Sequence, residues 1–494
     1  MSLDLDSYGR RVEEFVSALD REYHLHFSGQ KPSYEVEAIY ESHAGLFERE
    51  RIEQLREAAG ANGDAGRRAA YLLELAVGGF MGRATAEQEA AIAEREAALE
   101  LELAGQRIPY RLAPVVQANE ADAGRREAIE SQRLGLLDQH LNRLHLEALE
   151  LAHGLVRELG WASYAEAYAE LRRIDLVALA RQAQRFLEAT RTSYEPLLGP
   201  QLERFVGTPL ARSRRSDLPR FFRAPALDAG FPAERLIPAF AETVAGLGLA
   251  LEDQPNIVLD AEQRPTKAPR AYCAPVRVPD EVYLVVPRVG GRQDYAALFH
   301  EGGHAQHYAN VDPGQPPEFR YLGDNSVTES FAFLLEHLTE DPIWLAERLE
   351  GADADAVCSH ARAVKLLFLR RYAAKIAYEL ELHGAAPDLA AMPGRYAALI
   401  GDATGFEWSP ETWLSDVDGG FYVAGYLRAW AIEARWRRAL RERFDERWFE
   451  RREAGDWLRS LWRGGQRLRG DELLAETLGE ELDFASLVAE FPQR

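Results

Sequence analysis

One pentad constrains this chain more than any other stretch: His300-Glu301-Gly302-Gly303-His304, within Ala296–Asn310. On a helix, residues four apart lie one turn above each other on the same face. His300 and His304 can therefore aim two imidazoles at one metal ion. Glu301 sits beside them, within reach of a water on that metal. Zinc accepts such a set, because it binds neutral imidazole nitrogens and keeps one position open for water in a catalytic site. Two adjacent glycines inside a helix cost roughly 2 kcal/mol relative to alanine. Gly302 and Gly303 thus predict a close approach to this helix, by a neighbouring helix or by a substrate. Asp294 is placed to cap its N-terminus.

Two histidines and a water leave zinc one ligand short, so a third should come from a second helix crossing the first. The best-placed residue is Glu329, 25 residues after His304, in Asn325–Leu338. Ser326-Val-Thr-Glu329 also reads as a capping box, in which the glutamate would only close its own helix end. The upstream motif favours the ligand reading. Glu336 lies two turns further along the same face, where it can orient a ligand histidine or pair at the surface.

The chain has 494 residues, 47% of them hydrophobic, enough for a large core in more than one lobe. Its 58 basic and 80 acidic residues give a net charge of −22. That balance argues against nucleic acid and anionic membrane surfaces as partners. Two cysteines, Cys273 and Cys358, form no disulfide framework, so a cytoplasmic location is expected. No run of about 18 apolar residues predicts a membrane span, and the first residues do not resemble a signal peptide.

Taken in order, the periodicity predicts helices over Ser7–Tyr23, Ser33–Ala59, Gly66–Gly79, Thr85–Gly105, Asp122–Leu159, Ser163–Arg172 and Leu176–Leu198. Residues 1–204 then form an N-terminal helical lobe and 205–494 a catalytic region, with the lobes intertwined. His140, His145 and His153 lack an acidic partner at metal spacing and read as ordinary helix residues. Asn256–Asp260 and Arg270–Pro287, with a turn at Val278–Val282, predict a small antiparallel β-sheet just before the motif helix. Its edge is either a site for an extended peptide or a structural hairpin. Helices resume after Glu329. In Asp416–Trp430, Gly419 and Gly420 precede Phe421, Tyr422 and Tyr426, a pattern of a flexible loop feeding a helix. Tyr422 and Tyr426 would share a face there.

Together these stretches resemble the thimet oligopeptidase and oligoendopeptidase F family of zinc metallopeptidases. His300-Glu-Gly-Gly-His-Ala-Gln-His307 is similar to its H-E-x-G-H-x-x-H motif. Glu329 falls where the family places its third ligand, and Phe333-Leu-Leu-Glu336 matches the stretch after it. Phe368–His383 resembles the following F-x-R helix, and Gly419–Tyr426 the glycine- and tyrosine-rich substrate loop. The resemblance runs from about Lys267 to Tyr426. It implies a mainly α, two-lobed fold with a deep central channel, one zinc per chain, and cleavage of short peptides. The chain departs from the family at Asp416-Val417-Asp418, where a histidine is common, and at Ala429, where a later loop tyrosine is replaced.

On this reading His300, His304 and Glu329 hold the metal, and Glu301 is the general base. Tyr426 or Tyr422 donates to the oxyanion. His307 either hydrogen-bonds substrate or fills space. One rival is carboxypeptidase or dipeptidyl-carboxypeptidase activity on peptide C-termini. Another, of a different class, is a non-catalytic zinc-stabilised peptide-binding scaffold. The presence of Glu301 argues against the scaffold, which needs only the ligands.

Overall fold

The apolar periodicity of the chain resolves into helices along most of its length, in a computed structural model that describes residues 3–492. The first, α1 (Leu5–Phe27), is capped by Asp4, whose carboxylate accepts the N–H groups of Asp6 and Ser7 at 3.0 and 3.2 Å. It begins before the expected start at Ser7 and outruns Tyr23.

Several helix boundaries differ from the sequence pattern. Ser33–Ala59 is two helices, Val36–Ser42 and Arg49–Ala59, joined by a single 3-10 turn. The stretches Gly66–Gly79 and Thr85–Gly105 are instead one helix, Gly63–Ala98, followed by a hairpin of β1 (Glu100–Leu103) and β2 (Gln106–Pro109). Ala104 and Gly105 reverse the chain there with φ of 52° and 80°. Asp122–Leu159 breaks at Leu141 into Ala123–His140 and Asn142–Glu158. The Asn142 side chain donates to the Glu411 carbonyl at the break. Leu176–Leu198 divides at Thr190 into Leu176–Ala189 and Arg191–Phe205.

The sheet before the motif is three-stranded: β3 (Ile257–Asp260), β4 (Tyr272–Arg277) and β5 (Glu281–Val285), in the order β3-β5-β4. The hairpin pair β4–β5 is antiparallel, with Cys273 opposite Leu284. β3 joins parallel to β5, Val258 opposite Tyr283, so the sheet is mixed rather than wholly antiparallel. β4 is left at the edge. Next come α2 (Arg292–Ala309), which carries the motif, and α3 (Asn325–Glu336). Further on, α4 (Tyr422–Phe444) follows the glycine pair Gly419–Gly420.

The chain divides into two compact units. The first comprises Met1–Phe80, Leu227–Cys358 and Arg428–Ser486, the second Met81–Ala226, Ser359–Leu427 and Leu487–Arg494. Both draw on the chain before and after residue 204. The sheet, α2 and α3 belong to the first unit, over a core that fully buries Trp344, Trp436, Trp448 and Trp462. Among the described residues, no helix is long and apolar enough to cross a membrane, and Cys273 and Cys358 are free thiols.

Candidate metal centre

The two glycines of the motif each meet a neighbour. A Cβ on Gly302 would lie 2.3 Å from the Phe240 ring, and one on Gly303 would lie 2.6 Å from the Cα of Ala332 in α3. Gly303 therefore lets α2 and α3 touch backbone to backbone. Its partner is a helix, one of the two close approaches that the glycines imply. The N-cap of α2 is Gly291, at φ 87°, and not Asp294. Asp294 sits in the first turn, where its carboxylate accepts the Gly290 N–H at 2.9 Å.

α3 starts from a different cap than the sequence suggests. Asp324 accepts the Ser326 N–H at 3.0 Å and the Ser326 hydroxyl at 2.7 Å. Its other oxygen takes the Arg428 guanidinium at 2.8 Å and the Gly470 N–H at 3.0 Å. Burial alone would raise this carboxyl, but Arg428 and the N–H donors hold it down at about 2. With the cap supplied by Asp324, the Ser326–Glu329 capping box does not form, and Glu329 is free of that duty.

The contact between α2 and α3 brings three side chains together. His300, His304 and Glu329 each offer a ligand atom, and these atoms lie within 4.8 Å of one another. Glu329 Oε2 is 3.4 Å from His300 Nε2 and 3.8 Å from His304 Nε2. The other nitrogen of each ring is engaged. His300 Nδ1 lies 2.9 Å from Glu336 Oε2, and His304 Nδ1 lies 2.8 Å from Thr328 Oγ1. A carboxylate only accepts, so His300 Nδ1 holds a proton toward Glu336, and a metal at the shared point would take the Nε2 lone pair in place of any proton there. At His304, Nδ1 would donate to the Thr328 hydroxyl when Nε2 is the ligand atom. Two imidazole nitrogens and a carboxylate oxygen, with outer partners that fix ring orientation, are the donor set of an open tetrahedral site.

Burial pulls the His300 imidazole down, but the carboxylates of Glu329 and Glu336 outweigh it and raise it to about 10. His304 is pushed down to about 3 by burial and by the neighbouring His300. Glu301 is raised to about 7 by burial, against the opposing pull of His300 and of the Cys273 N–H. That N–H, on the edge strand β4, donates to Glu301 Oε2 at 2.9 Å. The hydrogen bond holds one oxygen of Glu301 against β4.

His307 is fully buried, its ring 5.3 Å from Tyr308 and 5.2 Å from Phe331. It is not among the three converging ligands. Tyr422 and Tyr426 belong to the second unit, on one half-buried face of α4, with ring centroids 4.9 Å apart. The loop leading to them is tied down rather than flexible. The Asp418 N–H donates to Glu379 at 3.0 Å, the Gly420 N–H to the Tyr164 hydroxyl at 2.9 Å, and Lys375 pairs with Asp418 at 2.8 Å. Gly420, at φ 62°, is packed so closely that a Cβ would lie 2.7 Å from the Tyr168 ring. His153, read from sequence as ordinary, is buried against His383, nitrogen to nitrogen at 2.9 Å.

Thr328 and the Cys273 N–H were not legible as parts of the site. Thr328 had one signal: it immediately precedes Glu329, the candidate third ligand, and a ligating histidine needs a partner for its second nitrogen. The Cys273 contact has none, because it is made by backbone.

No protein-family model matches this chain, and no curated protein matches its sequence. Solved structures do match its fold. An M32 carboxypeptidase from Deinococcus radiodurans R1 superposes with a TM-score of 0.59 at 14% identity, over 98% of this chain and 96% of that one. A Bacillus anthracis str. Ames protein assigned as an oligoendopeptidase F gives 0.58 at 15% identity, over 98% and 84%. A Pyrococcus furiosus carboxypeptidase gives 0.56 at 15% identity, over 98% and 97%. At these identities the likeness is one of fold: this chain has the mainly α fold that these peptidases share.

Proposed function

We propose that this chain is a zinc-dependent peptidase that hydrolyses short, unfolded peptides. The single observation that carries the reading is the meeting of His300, His304 and Glu329 at one point, with Glu301 beside it. A zinc ion held by those three side chains would polarise the scissile carbonyl and acidify a water at neutral pH. Glu301 takes the proton of the attacking water and hands it to the leaving amine. Glu336 and Thr328 keep the two imidazoles aimed. Tyr426, with Tyr422 one turn before it, is assigned to the oxyanion by the family resemblance alone.

A second reading is removal of C-terminal residues. It is supported by coverage: the chain accounts for 96% and 97% of the two carboxypeptidases it resembles, against 84% of the oligoendopeptidase F. A mixed peptide library, incubated with and without chelator and read by mass spectrometry, tests both. Chelator-sensitive internal cuts support the oligopeptidase, and chelator-sensitive ladders from the C-terminus the carboxypeptidase. No cleavage of any peptide contradicts the enzyme and leaves the binding scaffold.

A further inference from the structure

Away from the metal centre, the second unit contains a cavity of about 320 Å³ whose lining includes Arg133, Arg215 and Arg371. Three guanidinium groups around one small hollow are costly unless anions face them. Two carboxylates do. Glu130 pairs with Arg215 and lies 3.7 Å from Arg133, and Asp416 pairs with Arg371 while accepting the Tyr396 hydroxyl at 2.5 Å. Lys375, 3.9 Å from Asp416, is matched by Asp418 at 2.8 Å. Three cations against two anions leave one positive charge. Arg133 Nε has only the 3.7 Å ion pair with Glu130, and the buried Nε–H of Arg215 has no hydrogen-bond acceptor among the described residues.

The rest of the lining is mixed: Leu218, Pro219, Leu367 and four aromatic residues, with the hydroxyls of Thr412 and Ser415. The guanidinium carbons of Arg215 and Arg371 each lie 5.3 Å from the Trp408 ring, which holds them in place by cation–π contact. Phe222 and Phe368 stack on each other at 4.7 Å and form part of the wall. Arg215 and Trp408 also line a larger surface depression of about 1050 Å³, so the two hollows meet at these side chains.

We propose that this cavity binds a small monocarboxylate with an apolar or aromatic body. One negative charge matches the unbalanced cation, whereas a dianion would exceed it. The planar fork of a carboxylate suits guanidinium groups, as Asp416 on Arg371 already illustrates. The volume sits at the low end of small-molecule sites, and the aromatic walls cover a ring or short chain. The proposal concerns a site apart from the metal ligands and does not depend on the peptidase reading.

The test is calorimetric titration of the whole chain at fixed ionic strength with three probes: 3-phenylpropionate, 3-phenyl-1-propanol and inorganic phosphate. The carboxylate should bind saturably at one site that Arg215→Gln and Arg133→Gln each weaken at least tenfold, with circular dichroism unchanged. The alcohol and phosphate should bind at least tenfold more weakly to wild type. A site with equal affinity for the alcohol is merely apolar, and one that prefers phosphate is a plain anion site. Either result overturns the proposal, as does no saturable binding or binding untouched in both variants. The probe comparison needs only wild type, so it decides the matter even where a variant fails to fold.

Discussion

Gly303 of α2 and Ala332 of α3 meet so closely that a Cβ on the glycine would lie 2.6 Å from the alanine Cα. This crossing sets the separation between His300 and His304 on one helix and Glu329 on the other. Gly303→Ala gains about 1 kcal/mol of helix propensity and forces backbone apart, at a cost of about 1–3 kcal/mol or more. The expected outcome is a lower melting temperature together with weaker metal retention. A variant as stable as wild type, with metal fully kept, would show that the helices have slack.

Glu336 holds His300 through Nδ1, so its loss should loosen the metal rather than abolish it. Glu336→Ala is expected to weaken metal affinity by about 10–100-fold, measured by competition with a chelating dye. Glu329→Ala, which removes a ligand, should weaken it more. If the two rank the other way, Glu336 is the ligand and Glu329 its support.

Asp324 joins the start of α3 to Arg428 and Gly470. Its folded pKa of about 2 lies below the ordinary aspartate value of 3.8, so the sign is that of a depressed acid. The shift corresponds to about 2 kcal/mol of stability, complete above about pH 4 and lost as pH falls toward 2. Asp324→Asn should therefore be destabilised at pH 7, with the gap to wild type narrowing at pH 3. Denaturant midpoints at both pH values check this, and a gap that widens in acid contradicts it.

Much of the convergence of His300, His304 and Glu329 was readable because it is local. The i, i+4 histidines need only a helix, and the need for a third ligand pointed to Glu329. The capping of α3 was not readable. Ser326 and Glu329 have the right spacing for a box, but Asp324 takes the role because Arg428 and Gly470, more than 100 residues away, hold its carboxylate. The hairpin Glu100–Pro109 was hidden for a local reason, since its charged residues continue a helical pattern until Ala104 and Gly105 turn the chain. The loop before Tyr422 looked mobile from its glycines, yet Gly420 is there to fit against Tyr168. Tertiary partners decide the α3 cap and this loop, and their spacing in sequence carries no trace of them.

The phenols of α4 offer a prediction that separates chemistry from packing. Tyr426→Phe is expected to lower kcat about 10²-fold or more, the usual loss for one oxyanion donor, with metal content and melting temperature kept. Tyr422→Phe is expected to have the smaller effect. If neither changes kcat, both tyrosines serve packing alone, as their 4.9 Å ring contact would allow.

The most direct measurement is the turnover of Glu301→Gln on short peptides, made beside its zinc content. Glutamine is nearly the same size and cannot accept the proton, so zinc should stay at one per chain while kcat falls at least about 10²-fold. Turnover equal to wild type, with zinc retained, would contradict the assignment of Glu301 as general base and with it the proposed mechanism.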